Sequence, residues 1–81
     1  MRITVIFSGL LRILAGVERE VLDVHEGATA EMLYDILEKK YQNLPLERSK
    51  TYFIINNHVP MRNQVLAGGD QVRVFQLLAG G

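Results

Sequence analysis

The 81-residue sequence predicts one α+β domain, a mixed sheet of four to five strands with one main helix packed on one face. Two observations favour it: β-branched and aromatic runs stand at both ends of the chain, and an apolar stripe with helical spacing lies between them. Parallel strands need a long crossover connection, and the helix provides one. The first and last strands are therefore expected to lie side by side at the centre of the sheet.

The first strand is predicted at residues 2–8. Its alternate apolar side chains share one face: Ile3, Val5 and Phe7. Ile6 breaks the alternation, which indicates that the second face is partly covered. Residues 10–15, bracketed by two glycines, are predicted to form a loop. Residues 18–26 are mostly polar and are predicted to form the second strand of a hairpin, near a sheet edge where charges are tolerated.

The main helix is predicted to follow Thr29, whose hydroxyl can accept a hydrogen bond from a free backbone N–H. Its apolar stripe repeats every three to four residues: Leu33, Ile36, Leu37 and Tyr41. Asn43 and Pro45 are expected to stop the helix. Residues 42–50 are then predicted to form a polar loop.

The second half of the chain is predicted to form further strands and turns. Residues 51–55 predict a third strand, which an Asn-Asn turn and a short returning strand at 58–59 follow. Residues 61–66 are ambiguous and compatible with one helical turn, and the last strand is predicted at 71–78. This order of strands around one helix is the β-grasp arrangement.

The alternation of the last strand assigns its side chains to two faces. If Val72 and Val74 face the helix, then Arg73, Phe75 and Leu77 face the other way. An aromatic ring and a leucine would then lie on the open face of the sheet. Contiguous exposed apolar side chains often mark docking sites; the alternative is that a loop or a second copy of the chain covers them.

Composition excludes several classes of function. Without cysteine the chain has no disulfide, thiolate metal site or cysteine nucleophile, and its net charge of zero argues against nucleic-acid binding. His25 and His58 lie on predicted turns and have no relay partner at a suitable spacing, so neither a catalytic group nor a metal site is expected. The apolar N-terminal run, which Arg12 interrupts, is too short to span a bilayer, and a cytoplasmic location is expected.

The ending is the one candidate for chemistry. Residues 1–76 are predicted to form the folded domain and residues 77–81 a flexible tail that ends in Gly80 and Gly81. Glycines lack a Cβ and fit a narrow channel. A terminal carboxylate, with a pKa near 3.5, is an unreactive anion at neutral pH, so a partner would have to activate it, most simply as an acyl-adenylate from ATP. The alternative is a frayed terminus or an expression remnant.

Several segments together resemble a known family. Residues 5–16 are similar to the opening of MoaD, and residues 27–29, Ile55-Asn56 and residues 66–72 fit the same pattern further along the chain. The ending from Phe75 to Gly81 is more similar to that of ThiS. The chain therefore resembles the MoaD/ThiS sulfur-carrier family of ubiquitin-like β-grasp proteins, with a MoaD-like body and a ThiS-like tail.

The resemblance implies a mechanism and partners. A ubiquitin-activating-enzyme-like protein adenylates the Gly81 carboxylate with ATP, and a sulfur donor protein then supplies the sulfur of a thiocarboxylate. The chain itself would be a non-catalytic carrier that binds no cofactor. The acceptor would be the large subunit of molybdopterin synthase or, for a ThiS-type carrier, a thiazole synthase in thiamin biosynthesis.

Two other classes stay open: a ubiquitin-like modifier that is conjugated to lysines through Gly81, and a plain interaction domain. The residues expected to contact partners lie in or near the tail or carry a positive charge: Phe75, Leu77, Leu78, Ala79, Gly80, Arg12 and Arg73.

Overall fold

The computed structural model describes residues 1–61 and 63–76. Its elements, in chain order, are β1 (Arg2–Phe7), α1 (Leu10–Ala15), β2 (Arg19–Asp23), α2 (Ala30–Lys40), β3 (Thr51–Ile55) and β4 (Gln71–Gln76). The strands form one sheet in the order β2-β1-β4-β3. The first and last strands pair in parallel at its centre, as the sequence predicts, and the outer pairs are antiparallel.

The predicted inward side chains of the two central strands form the middle of the core. They are 0–1% exposed: Ile3, Val5, Phe7, Val72 and Val74. On α2, Leu33 and Leu37 are equally buried, and the ring of Phe7 meets Tyr41 edge-on with centroids 5.1 Å apart. Ile6 points to the other face and is also buried, as its break in the alternation indicates.

The main helix begins and ends close to its predicted limits. The Thr29 hydroxyl accepts a hydrogen bond from the Met32 backbone N–H (3.2 Å), which confirms the predicted cap. At the other end the Tyr41 N–H donates to the Leu37 carbonyl. The helix ends at Lys40, a little before Asn43 and Pro45.

The prediction of a loop at residues 10–15 is wrong, because these residues form the short helix α1. Gly16, with a left-handed φ of 79°, ends it and donates its N–H to the Arg12 carbonyl. Six residues are too few for a stable isolated helix. Leu11, which is 1% exposed, anchors α1 in the core, so tertiary packing stabilises it.

The segment 42–50 is irregular, as predicted, but it is not a wholly polar surface loop. Leu44 and Leu46 belong to the hydrophobic core, although both lie in a segment without regular helix or strand. Leu46 also accepts a hydrogen bond from the hydroxyl of Tyr34, a buried residue of α2 that the predicted stripe omits. The guanidinium of Arg48 covers the Tyr34 ring at 4.4 Å from its centroid. These contacts fasten the segment to the helix.

The remaining boundaries differ by a few residues. β2 is shorter than the predicted span 18–26 but lies at a sheet edge, as expected. The Asn-Asn turn is confirmed by left-handed φ values of 51° at Asn56 and 67° at Asn57. The short returning strand is reduced to a single bridge between Ile55 and His58.

Met61 and residues 63–66 do not form the helical turn considered from the sequence. The Gln64 N–H donates to the Met61 carbonyl (3.0 Å), and Asn63 has a φ of 58°, which a right-handed helical turn does not allow. The last strand is confirmed as far as Gln76. Residues 77 and 78 of its predicted span, and the rest of the predicted tail, lie outside the described residues.

A buried carboxylate fixes the start of β4. Asp70 is 8% exposed, and its two oxygens accept hydrogen bonds from the Ala67 N–H and the Asn56 side-chain amide, each at 2.8 Å. The Asn56 side-chain oxygen in turn accepts from the Gln71 N–H (2.9 Å). These bonds join the turn before β4 to the turn after β3 and so position the strand that leads to the C-terminal residues.

Candidate docking surface beside the C-terminal residues

The parallel pairing of β1 and β4 decides what lies beside the end of β4. Because the two strands run in the same direction, their C-terminal ends meet at one edge of the fold. The Ser8 N–H donates to the Val74 carbonyl (3.1 Å) and extends the pairing beyond β1. The chain then turns into α1, so α1 flanks the place where the chain leaves β4.

An apolar groove of about 270 Å³ lies on one side of this place. It is lined by Ser8, Gly9, Leu10, Leu11, Phe75 and Gln76. Phe75 lies on the face away from α2, as the alternation predicts. Its ring is half-buried there because it stacks on the ring of Tyr52, with ring centroids 5.9 Å apart. The exposed side chain of Leu10 continues the apolar surface along α1.

A second groove, of about 260 Å³, lies on the other side, and we call it the arginine groove. It is lined by Ile6, Phe7, Ser8, Gly9, Arg12, Glu18 and Arg73. Arg12 and Arg73 are distant in the sequence, yet both line this groove and both are exposed. The two grooves share Ser8 and Gly9, so the exit of β4 has an apolar flank and a charged flank.

The structure thus brings together three of the predicted partner-contacting residues: Phe75, Arg12 and Arg73. The other predicted residues, Leu77, Leu78, Ala79, Gly80 and Gly81, lie outside the described residues, and their roles stay predictions. Sequence reasoning missed Leu10 and Tyr52. The alternation within β3 holds the signal for Tyr52, since it places this residue on the same face as Phe75.

Other kinds of site were also sought in the part of the chain that the structure describes. Within residues 1–61 and 63–76, no three metal-ligating side chains come together. In the same residues, no helix is long and apolar enough to cross a membrane. His25 and His58 are both exposed.

Comparison with solved structures shows the fold. SAMP1 from Haloferax volcanii aligns over the whole of both chains with a TM-score of 0.84 and 20% sequence identity. A putative molybdopterin converting factor subunit 1 from Pyrococcus furiosus aligns over 96% of this chain and 99% of its own, with a TM-score of 0.83 and 21% identity.

One chain of the complex of subunits 1 and 2 of the molybdopterin-converting factor from Helicobacter pylori aligns over all of both chains, with a TM-score of 0.70 and 21% identity. At these identities the likeness establishes the β-grasp, ubiquitin-like fold.

Comparison with known sequences shows the family. No curated protein sequence matches the chain significantly. The model of the ThiS family matches residues 5–81, nearly the whole chain and both final glycines. The chain therefore belongs to the ThiS family and has the ubiquitin-like β-grasp fold of ThiS- and MoaD-type sulfur carriers.

Proposed function

We propose that the chain carries sulfur as a thiocarboxylate on Gly81. The observation that carries the proposal is the match to the ThiS family model, which extends through Gly80 and Gly81. A ubiquitin-activating-enzyme-like partner supplies the chemistry. The Gly81 carboxylate attacks the α-phosphorus of ATP, and pyrophosphate leaves, so that an acyl-adenylate forms.

Sulfur then replaces AMP. The terminal sulfur of a donor protein's persulfide bonds to the acyl carbon as the bond to AMP breaks. A second thiol of the donor or activating protein cleaves the remaining S–S bond, which leaves a thiocarboxylate on Gly81 and a disulfide on the partner side. ATP is thus a co-substrate of the activating partner, and this chain is a protein substrate.

The fold would contribute the docking surface and the reach. Five residues separate Gln76 from the terminal carboxylate, and an extended chain spans at most about 3.5 Å per residue, so the carboxylate lies within roughly 17 Å of the end of β4. A partner that acts on Gly81 must therefore also lie close to the two grooves. This favours contacts at Phe75, Arg12 and Arg73 during the reaction.

We propose further that the sulfur serves molybdopterin synthesis, with the chain as the small subunit of the synthase. The MoaD-like segments support this, as does the structural likeness to the Helicobacter pylori complex of subunits 1 and 2. A ThiS-type role in forming the thiamin thiazole is the first alternative, which the family model favours. The second alternative is conjugation to proteins. The likeness to SAMP1 supports it, because that name stands for small archaeal modifier protein 1.

Intact-mass spectrometry of the protein purified from its own host tests the proposal. We expect a species heavier by the exchange of one oxygen for sulfur at the C-terminus. Deletion of Gly81, or addition of one residue after it, should abolish this species and the ATP–pyrophosphate exchange of the activating partner. Lys39→Ala, an exposed change on α2, is the matched control and should retain both.

Two outcomes would contradict parts of the proposal. Unchanged sulfur transfer after deletion of Gly81 would exclude the carrier role. Ladders of heavier conjugates without the sulfur species would favour a modifier.

To identify the acceptor, the thiocarboxylated protein is mixed with the molybdopterin-synthase large subunit or the thiazole synthase of the same genome, and the one that consumes the sulfur species is the acceptor.

A further inference from the structure

The two edge strands of the sheet differ in how they are protected. β2 carries three charged side chains among its five residues, and charges on an edge strand discourage pairing with another chain. β3, the other edge, has the sequence Thr-Tyr-Phe-Ile-Ile, which contains no charge, proline or glycine. An uncharged edge strand of β-branched and aromatic residues is well suited to pair with a further strand.

The hydrogen bonds of β3 show which of its backbone groups point outward. In an antiparallel strand, the N–H and carbonyl of successive residues point alternately to one side and to the other. The N–H and carbonyl of Ile55 both bond to His58, on the side away from β4. Phe53 and Thr51, two and four residues earlier, therefore also direct their backbone groups away from β4.

The hydrogen bonds of β4 give the same assignment. Val74 lies opposite Phe53 in the register, but its carbonyl accepts from the Ser8 N–H on the β1 side. Phe53 and Val74 are thus a pair without mutual hydrogen bonds. Among the described residues, no backbone hydrogen bond outside the sheet uses Phe53 or Thr51. The outer edge of β3 thus offers the backbone groups of two residues to another strand, and His58 closes the edge beyond them.

A hollow of about 230 Å³ adjoins this edge on the side of α2. Phe53 and Thr51 line it together with Tyr34, Pro60 and Met61. Phe53 is half-buried, and its ring lies against that of Tyr34 with centroids 6.1 Å apart. A strand added beside β3 would direct alternate side chains toward this hollow.

We infer that β3 pairs with β3 of a second copy of the chain in an antiparallel, two-fold symmetric dimer. The outward residues fix the register. Thr51 of each copy lies opposite Phe53 of the other, and Tyr52 lies opposite its own copy at the two-fold axis. A register centred on Phe53 is blocked, because it would bring Thr51 to the position that His58 occupies.

The edge is complementary to itself. Each copy offers two outward residues two positions apart, so in this register the outward N–H and carbonyl groups of both copies are paired. A two-fold axis brings nearby residues close to their own copies, where like charges would repel, and residues 51–55 carry no charge. On the open face the two Tyr52 rings would meet, each stacked on its own Phe75. On the other face, Phe53 of one copy would lie beside the hollow of the other.

The dimer would be weak and would keep the two C-terminal exits apart. Few residues of each strand pair, and small interfaces give weak, reversible complexes. The paired β3 strands run in opposite directions, and each β4 is antiparallel to its own β3. The two places where the chain leaves β4 therefore lie at opposite ends of the joined sheet. The inference concerns the free chain and does not depend on the chemistry proposed for Gly81.

Disulfide trapping tests the register, because the chain contains no cysteine. Opposite residues of a non-hydrogen-bonded antiparallel pair have Cα atoms about 4.5 Å apart, a distance that a disulfide can bridge. Tyr52→Cys should therefore give a disulfide-linked dimer under mild oxidation. Ile54→Cys, on the same face, should not, because its two copies would lie about 14 Å apart. Val21→Cys on β2, a more exposed position than Tyr52, controls for random collision and should stay monomeric.

Sedimentation equilibrium tests the dimer without cysteine. The wild type should dimerise reversibly between roughly 10 µM and 1 mM, the range of a weak complex. Tyr52→Lys places two like charges at the axis and should weaken dimerisation at least tenfold. Val21→Lys adds the same charge to the other edge strand and should dimerise as the wild type does.

Two results would overturn the inference. One is a wild type that stays monomeric at about 1 mM. The other is disulfide formation at position 54 or 21 equal to that at position 52. Circular dichroism checks that each variant is folded. Neither measurement includes ATP or a partner protein, so failure of the dimer leaves the proposed sulfur chemistry untouched, and failure of that chemistry leaves the dimer untouched.

Discussion

Two phenylalanines on opposite faces of the sheet provide a sharp test of the docking surface. Phe7 on β1 faces α2, and Phe75 on β4 faces away from it. Both lie near the C-terminal ends of adjacent parallel strands. Phe7→Ala and Phe75→Ala therefore remove the same atoms from neighbouring places in very different surroundings.

The structure sets the expected magnitudes. Phe7 is 1% exposed and contacts Tyr41 edge-on, so its truncation should cost about 3–5 kcal/mol of unfolding free energy. A domain of this length has a total stability of roughly 4–12 kcal/mol, so Phe7→Ala should remove about a quarter of it or more, and should unfold the domain at the low end of this range. Phe75 is half-buried and keeps one ring partner, Tyr52, so its loss should cost about 1–2 kcal/mol.

The partner measurement should show the reverse order. An aromatic anchor at the centre of an interface contributes about 2 kcal/mol or more, roughly a thirtyfold change in affinity, and we expect this from Phe75→Ala. Stability is measured by urea denaturation followed by circular dichroism, since the chain has no tryptophan, and affinity by calorimetry with the activating protein.

Two results would refute this reasoning. If Phe75→Ala destabilises the fold as much as Phe7→Ala, then Phe75 is a core residue. If Phe75→Ala is stable and binds the partner unchanged, then the aromatic ring is not an anchor. Tyr52→Ala, at the other ring of the stack, is the companion variant and should lower affinity less because Tyr52 lies further from the end of β4.

Two further predictions concern stability. Tyr34→Phe should cost about 1–3 kcal/mol because the buried Leu46 carbonyl loses its donor. Burial raises the pKa of the Tyr34 phenol, so its contribution is full below pH 10 and is lost as the pH rises through the raised value. The difference between wild type and Tyr34→Phe in urea denaturation should therefore shrink above pH 10; a constant difference would contradict this. Asp70→Ala should cost about 1–3 kcal/mol and Asp70→Asn less, because alanine leaves the Ala67 N–H and the Asn56 amide without an acceptor. Melting temperatures of both variants equal to that of the wild type would show that this network does not stabilise the fold.

Long periodic segments were predictable from the sequence because their patterns report the core directly. The alternation of β1 and β4 and the stripe of α2 gave the architecture, including the faces of Val72 and Phe75. Local cap and turn signals, such as those of Thr29 and Asn56, were equally informative because short-range chemistry determines them.

Elements that depend on distant contacts were not predictable. α1 has too few residues to show a period, and one buried side chain, Leu11, holds it in place. Leu44 and Leu46 enter the core from an irregular segment, whose direction no periodicity reveals. The approach of Arg12 to Arg73 follows from the parallel pairing of β1 with β4, and only the fold shows that they line one groove.

The central position of β4 also has a consequence for the time at which the docking surface exists. β4 pairs with β1 from the start of the chain, and pairings of such large sequence separation form slowly. During synthesis the N-terminal strands leave the ribosome first. Both grooves therefore stay incomplete until the whole of β4 has emerged and has inserted between β1 and β3. Nascent or misfolded chains would consequently offer no docking surface, and under the proposed function ATP would be used only on molecules that have finished folding.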